Sequence, residues 1–95
     1  MDIFVLTQAW FGDLGGESDL FRKVEIGHAG ACYDLDAAKN LLFEYIDSFE
    51  EFGFNYVGPY TKEYLKHSPL HHSTAVLENE RGESVIINIH KTELI

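Results

Sequence analysis

Two histidines in the second half of the chain have the spacing of paired metal ligands. His67 and His71 are four residues apart, which would place both imidazoles on one face of a helix. Pro69 lies between them, and it opposes a regular helix because it has no N–H to donate and its ring clashes with the preceding turn. The proline therefore argues against a helical site built from these two histidines.

A second histidine pair depends on a hairpin near the end of the chain. If residues 73–79 and 83–91 pair as expected, His72 and His90 are directly opposed, with Cβ atoms about 5 Å apart. A closed zinc site needs two further ligands. The candidates for these are His71, His67, His28 and Glu78. One hypothesis is therefore a divalent-metal site at His72, His90 and His71, and the alternative is a solvated histidine pair at the end of a sheet.

The sequence contains no arrangement typical of a catalytic centre. Cys32 precedes a predicted helix, where a thiolate can be stabilised, but His28 would be about 13 Å away along an extended strand. No G-x-S-x-G elbow holds a serine in a strained turn. The glycine-rich segment Gly12–Asp19 lacks the Lys-Ser/Thr ending of a phosphate-binding loop. We therefore expect a protein that is not an enzyme, with Cys32 as a buried structural thiol.

Acidic residues on one predicted helix are the second feature that could have a functional role. Most lie opposite the apolar stripe of the helix, and only Lys39 dilutes their negative charge. Phe43 also points outward, about 130° from the centre of the buried face at 100° per residue. An exposed ring beside carboxylates is typical of an interface anchor with a charged rim; the alternative is a solubilising face with one stray aromatic. The candidate partner-binding residues are Asp36, Phe43, Glu44, Asp47, Glu50 and Glu51.

The helix that would position these carboxylates is predicted over residues 34–52. Its apolar residues recur at steps of three and one, which makes one continuous stripe at the 3.6-residue period. Asp34 suits the N-cap position, and Gly53 suits the left-handed position that follows a last turn. The stripe expected to face the core consists of Ala38, Leu41, Leu42, Tyr45, Ile46, Phe49 and Phe52.

Two hairpins are predicted around this helix. Strands over residues 3–11 and about 20–29 are separated by the glycine-rich turn, and residues 55–70 are expected to be irregular except for a short helix over 61–67. The closing hairpin has a three-residue loop that ends in Gly82. Its expected register pairs Leu77 with Val85, Ala75 with Ile87 and Ser73 with Ile89. The order predicts an α+β fold of two layers, with an antiparallel sheet of about four strands and the long helix on one face.

The composition indicates the domain organisation and the compartment of this protein and excludes some classes of partner. Its 95 residues fit a single domain over 1–95, and 45% of them are hydrophobic. No apolar run approaches the roughly 20 residues of a membrane span, and the N-terminus lacks the pattern of a signal peptide. A single cysteine suits a reducing compartment. We therefore expect a soluble, cytoplasmic protein without a membrane partner.

The net charge of −9 indicates the kind of partner. Binding of phosphate backbones depends on clustered Lys and Arg, so direct nucleic-acid binding is not expected. Carboxylate stripes instead attract basic surfaces by long-range steering. The first hypothesis is a non-enzymatic inhibitor whose helix carboxylates stand in for phosphates and block a basic nucleic-acid-binding protein. The alternatives are the metal-binding protein described above, with no cofactor otherwise expected, and a homodimer that pairs through a sheet face or strand edge.

In its size, charge, α+β layout and acidic helix from Asp36 to Glu51, the chain resembles small acidic inhibitors from phages and mobile elements, of which the anti-CRISPR proteins are the best known. The resemblance implies an intracellular partner such as an RNA-guided nuclease or its assembly. It also implies that this chain performs no catalysis. It rests on layout and not on a motif, so no residue role is transferred from it.

Overall fold

The computed structural model describes residues 2–13 and 22–93, which form an antiparallel sheet with one long helix on one face. The strands are β1 (Asp2–Asp13), β2 (Arg22–Cys32), β3 (Asn55–Gly58), β4 (Thr74–Glu78) and β5 (Ser84–Glu93). The helices are α1 (Leu35–Glu51) and α2 (Lys62–His67), followed by a 3-10 turn at Leu70–His72. The α+β class is confirmed, with five strands in the described residues where about four were expected. Of the turn predicted over Gly12–Asp19, Gly12 and Asp13 belong to β1, and residues 14–19 lie outside the described residues.

The strands follow the order β2-β1-β5-β4-β3, and every neighbouring pair is antiparallel. The predicted pairing of the first two strands is confirmed, with an irregularity between Leu6 and Thr7. The first strand also pairs with the last, so that Leu6 lies opposite Ile89. The additional strand, β3, occupies part of the segment expected to be irregular, because Asn55 and Tyr56 pair with the outer edge of β4.

The register predicted for the closing hairpin is confirmed. Leu77 lies opposite Val85 and Ala75 opposite Ile87. Asn79 closes the turn with its side chain, whose Oδ1 accepts hydrogen bonds from the backbone N–H groups of Arg81 and Glu83, each at 3.0 Å. Gly82 has a φ of 80°, a conformation that glycine adopts without steric cost. Local turn chemistry therefore determines which face each β4 and β5 side chain occupies.

Both predicted ends of α1 are confirmed. Asp34 accepts a hydrogen bond at 2.7 Å from the N–H of Ala37, as an N-cap residue does. At the other end Gly53 has a φ of 93°, and the N–H of Phe54 donates to the carbonyl oxygen of Phe49 at 3.0 Å. This backbone pattern is a Schellman motif. It turns the chain back towards the sheet, so Phe54 is buried although it follows the helix.

The core lies between α1 and the face of the sheet that the helix covers. Ala38, Leu42 and Ile46 of α1 have no exposed surface, and Phe49 retains 7%. Opposite them, the sheet contributes Leu6, Ala75, Leu77, Val85, Ile87 and Ile89, all buried. Neither helix of the described residues is both long and apolar enough to cross a membrane.

Candidate protein-binding surface

The five predicted acidic residues lie on the solvent side of α1. Each is exposed, and at 100° per residue their directions fall within an arc of about 120°. We call this set the acidic helix face. It consists of Asp36, Glu44, Asp47, Glu50 and Glu51.

The acidic helix face is concentrated at the end of α1 where negative charge is least favourable. The C-terminal end of a helix carries about half a negative charge, and acidic side chains there lose about 0.3–1 kcal/mol each, whereas basic ones gain it. The last turn of α1 has no basic residue, although Glu50 and Glu51 lie in it. The dipole and the carboxylates therefore reinforce each other's negative potential at the C-terminal end of α1.

Few of these carboxylates are neutralised by neighbouring charges. Glu50 accepts a hydrogen bond from Lys62 of α2 at 2.7 Å, in an ion pair whose side chains stay 35% and 44% exposed. Among the described residues, Asp36, Glu44, Asp47 and Glu51 have no ion-pair partner. Since a partly exposed ion pair contributes at most about 1 kcal/mol, most of the negative charge on this face remains available to a partner.

Phe43 does not occupy the exposed position that the helical period predicted for it. Its ring is partly buried against the core, and Lys66 Nζ lies 5.8 Å from the ring centroid. The reason is α2, which packs beside α1 and covers this flank. A groove of about 560 Å³ remains between the helices, lined by Phe43, Asp47, Lys62, Glu63, Lys66 and His67. Lys62 and Lys66 dilute the negative charge of the acidic helix face around Asp47.

The exposed aromatic ring beside the carboxylates is Phe52, which the helical period predicted to lie in the buried stripe. That placement is wrong: Phe52 is 81% exposed. The helix ends at Glu51, and Phe52 is its C-cap residue. Phe54 takes the place in the core, where its ring contacts Phe49 and Trp10 edge-on at 5.4 and 6.0 Å between centroids. The Gly53 signal for a left-handed turn could have shown that the stripe stops one residue earlier.

Lys39 was expected on the surface of α1 but is 4% exposed. Its Nζ donates hydrogen bonds to the carbonyl oxygen of Leu65 and to the hydroxyl of Ser68. Burial lowers the pKa of Lys39 below its ordinary value of 10.5. Lys39 therefore joins the end of α2 to α1 through these two hydrogen bonds.

Replacing Lys39 with Met is expected to raise the free energy of unfolding near neutral pH by up to about 1 kcal/mol. An apolar residue of similar size removes the buried charge, and Leu65 O keeps the 2.9 Å hydrogen bond donated by Ser68 Oγ. Because the lowered pKa makes the folded wild type bind fewer protons than the unfolded chain, its stability rises with pH towards 10.5. The advantage of Lys39→Met should therefore shrink as the pH rises towards 10.5.

Urea denaturation at several pH values measures this difference. Lys39→Ala is the matched control, since it also loses the packing of the aliphatic stem and should be less stable than wild type by about 2 kcal/mol. If the difference in the free energy of unfolding between Lys39→Met and wild type stays constant or widens as the pH rises, then Lys39 is not a buried ammonium with a lowered pKa.

The histidines predicted as metal ligands do not form the expected opposed pair. His72 lies in the 3-10 turn, and β4 begins only at Thr74. The physical reason is the turn that Pro69 begins, in which the N–H of His72 donates to the Pro69 carbonyl oxygen at 2.9 Å. The position of His72 opposite His90 in the hairpin is therefore wrong.

Each of these histidines has other neighbours. His72 Nδ1 lies 2.6 Å from the hydroxyl of Tyr64, and the His71 and His72 rings meet edge-on at 4.2 Å. His90 Nε2 lies 3.0 Å from Thr7 Oγ1. Within residues 2–13 and 22–93, no three His, Cys, Asp or Glu side chains come together as a metal site would require. Divalent-metal binding thus stays a prediction, without the paired geometry that motivated it.

Comparisons of this chain with protein-family models, with curated proteins and with solved structures find no match.

Proposed function

We propose that this protein binds a positively charged surface of a nucleic-acid-binding protein through the acidic helix face and thereby excludes nucleic acid from that surface. The observation that carries the proposal is the group of exposed carboxylates in the last two turns of α1, which the helix dipole opposes and of which Lys62 pairs with only one. These carboxylates lower the stability of the helix and make the potential at its C-terminal end more negative. Since they do not stabilise the fold, they favour a role in recognition. No catalytic step is part of this proposal.

The spacing of the carboxylates supports the idea that they stand in for phosphates. At about 1.5 Å of rise per residue, Glu44 and Asp47 are separated by about 4.5 Å along the helix axis, and Asp47 and Glu51 by about 6 Å. Phosphates along one DNA strand recur about every 3.4 Å of axis. The helix thus presents a row of anions with somewhat more than half that linear density. A groove lined by Lys and Arg would meet such a row at several points.

Phe52 supplies the apolar part of the proposed contact. Its exposed ring directly follows Glu51, so a partner that engages the end of α1 would meet both. Aromatic rings contribute strongly at the centres of interfaces, whereas exposed charges at the rim mainly raise the association rate. We therefore expect Phe52 to determine how long the complex lasts and the carboxylates to determine how fast it forms.

Within this class, an RNA-guided nuclease is the partner that the resemblance to anti-CRISPR-like inhibitors favours. Such nucleases hold their nucleic acids in positively charged channels. A chain of 10.8 kDa with a rigid acidic helix would act by occupying such a channel. We also propose that the protein acts in the cytoplasm.

Reversing three charges, Glu44→Lys, Asp47→Lys and Glu51→Lys together, is expected to weaken binding by about 100-fold or more. Opposite charges then face the basic surface, and like-charge contacts cost several kcal/mol. The reversed charges also suit the C-terminal end of the helix, so the variant should be at least as stable as wild type. The measurement is inhibition of DNA binding by purified RNA-guided nucleases and other nucleic-acid-binding proteins, with thermal unfolding in parallel.

The matched control reverses three exposed acidic residues away from α1: Glu78, Glu80 and Glu93. It has the same net charge as the first variant, so a specific role of the helix predicts near-normal inhibition. Wild-type inhibition should also weaken as salt is raised, because exposed charges are screened. If both triple variants lose inhibition equally, only net charge matters. If neither does, or if salt has no effect, the acidic helix face is not the contact.

A further inference from the structure

The side of the sheet that faces away from α1 is covered by neither helix. Alternate residues of β1, β4 and β5 point to this side, and the described ones are all partly or fully exposed, whereas the other side contains the buried residues of these strands, Leu6, Ala75, Leu77, Val85, Ile87 and Ile89. We call it the open sheet face. At its centre is a row of cross-strand partners, Ala9, Ile86 and Val76. Beside it runs a second row, Thr7, Asn88 and Thr74, in which Thr74 Oγ1 donates to Asn88 Oδ1 at 2.6 Å.

Where the structure describes its side chains, the open sheet face is almost free of charge, although the protein is strongly acidic. Among the strand residues whose side chains the structure describes, Glu78 at the end of β4 is the only acidic one on this face. Two copies that each carry nine net negative charges repel one another over most of their surfaces. This face is therefore where a second copy can approach at the lowest electrostatic cost.

The size of the open sheet face suits a stable dimer. At about 3.4 Å per residue and about 4.8 Å per strand, the five described strands span about 700 Å². Two such faces in contact would bury about 1,400 Å² in total, within the range of about 1,200–2,000 Å² for specific interfaces. Sheets that pack face to face in this manner are common, with interdigitating side chains and strand directions about 30° apart.

We propose that the open sheet face is the interface of a symmetric homodimer, in which two copies pack sheet against sheet around Ala9, Val76 and Ile86. The contact is isologous, so the same patch is used on both copies and the assembly closes at two. Because α1 lies on the other side of each sheet, the dimer displays two acidic helix faces on its outer surfaces. The interface does not depend on the function proposed above and is tested without any partner.

Sedimentation equilibrium of the purified chain over a range of concentrations tests the proposal. We expect twice the monomer mass of 10.8 kDa at about 100 μM, a concentration at which a dimer with a Kd of about 1 μM is mostly formed. Raising the salt from about 50 to 300 mM should lower the Kd, because it screens the repulsion between the two copies. A chain that remains at 10.8 kDa, or a dimer that salt weakens, overturns the proposal.

Ile86→Glu should raise the Kd of the dimer by at least about 100-fold, because it buries two like charges near the symmetry axis. Phe52→Glu is the matched control: it adds the same charge in place of an exposed apolar residue at the end of α1 and should leave the dimer intact. If circular dichroism shows that Ile86→Glu does not fold, Val76→Glu on the neighbouring strand β4 replaces it in the experiment. A folded variant at either position that dimerises like wild type assigns the contact to another surface and overturns the proposal.

Discussion

Replacing Phe49 with Ala is expected to lower the free energy of unfolding by about 3–5 kcal/mol, the range for large-to-small changes at buried aromatic positions. Phe49 is 7% exposed and lies at the centre of an aromatic cluster. Its ring meets Trp10 at 5.1 Å and Phe54 at 5.4 Å between centroids, both edge-on. Such aromatic pairs add about 0.5–1.5 kcal/mol each to the burial of apolar surface. Urea denaturation followed by tryptophan fluorescence measures the loss.

Phe52→Ala provides the matched control for this prediction. It makes the same chemical change three residues later in the chain, at a side chain that is 81% exposed. Its cost should stay below about 0.5 kcal/mol, the usual range for surface substitutions. Similar losses for both variants would mean that Phe52 is packed in solution, and the role assigned to it as an exposed interface residue would be wrong.

Replacing Leu65 with Ala is expected to lower the free energy of unfolding by about 2–5 kcal/mol and to release α2 in particular. A helix of six residues is not stable alone, and Leu65 is the only buried side chain of α2. The N–H of Leu65 donates to the carbonyl oxygen of Thr61 at 2.9 Å. Hydrogen exchange of this amide should accelerate more than exchange in the centre of the sheet.

Lys66→Ala is the control for Leu65, since Lys66 is exposed on the same short helix. It should change the free energy of unfolding by no more than about 0.5 kcal/mol, and the amide of Leu65 should remain protected. If exchange rates rise equally throughout the chain in Leu65→Ala, then α2 unfolds only together with the sheet and is not a separate cooperative unit.

The parts of the fold that follow from local chemistry could be predicted from the sequence. The β4–β5 register follows from strand alternation and from the left-handed residue Gly82, both of which act over a few residues. The start of α1 follows from the side chain of Asp34, and its end follows from Gly53. Asp34 caps a backbone N–H group, and Gly53 and Gly82 permit the left-handed conformation of their turns, so no tertiary information is needed.

The surroundings of individual side chains on α1 could not be predicted in the same way. Helical periodicity specifies the direction of a side chain, but not which element will cover it. Phe43 and Lys39 were expected on the surface, and both are covered because α2 packs against this flank of α1. The packing of α2 depends on Leu65, more than 20 residues away in the chain. The short strand β3 was missed for a similar reason, since its existence depends on an exposed edge of β4.

The acidic residues on α1, by contrast, remain exposed as the helical period predicts, although α2 lies beside Asp47 and Glu50. The His72–His90 pairing was wrong because strand pairing was extended beyond Ser73, although Pro69 begins a competing turn. Prolines and serines that satisfy backbone groups locally stop a strand before its apolar alternation ends.

The pairing of β1 with β5 has a consequence for how this protein is made. While a ribosome is still producing the chain, β1 and β2 can associate, but the sheet lacks its central strand until β5 has emerged. Pairings between distant parts of a sequence slow folding, and uncovered strand edges in the interim invite aggregation. Completion of the sheet therefore waits for the synthesis of β5, and an interruption before it would leave the β1–β2 and β3–β4 pairs as two separate pieces of sheet.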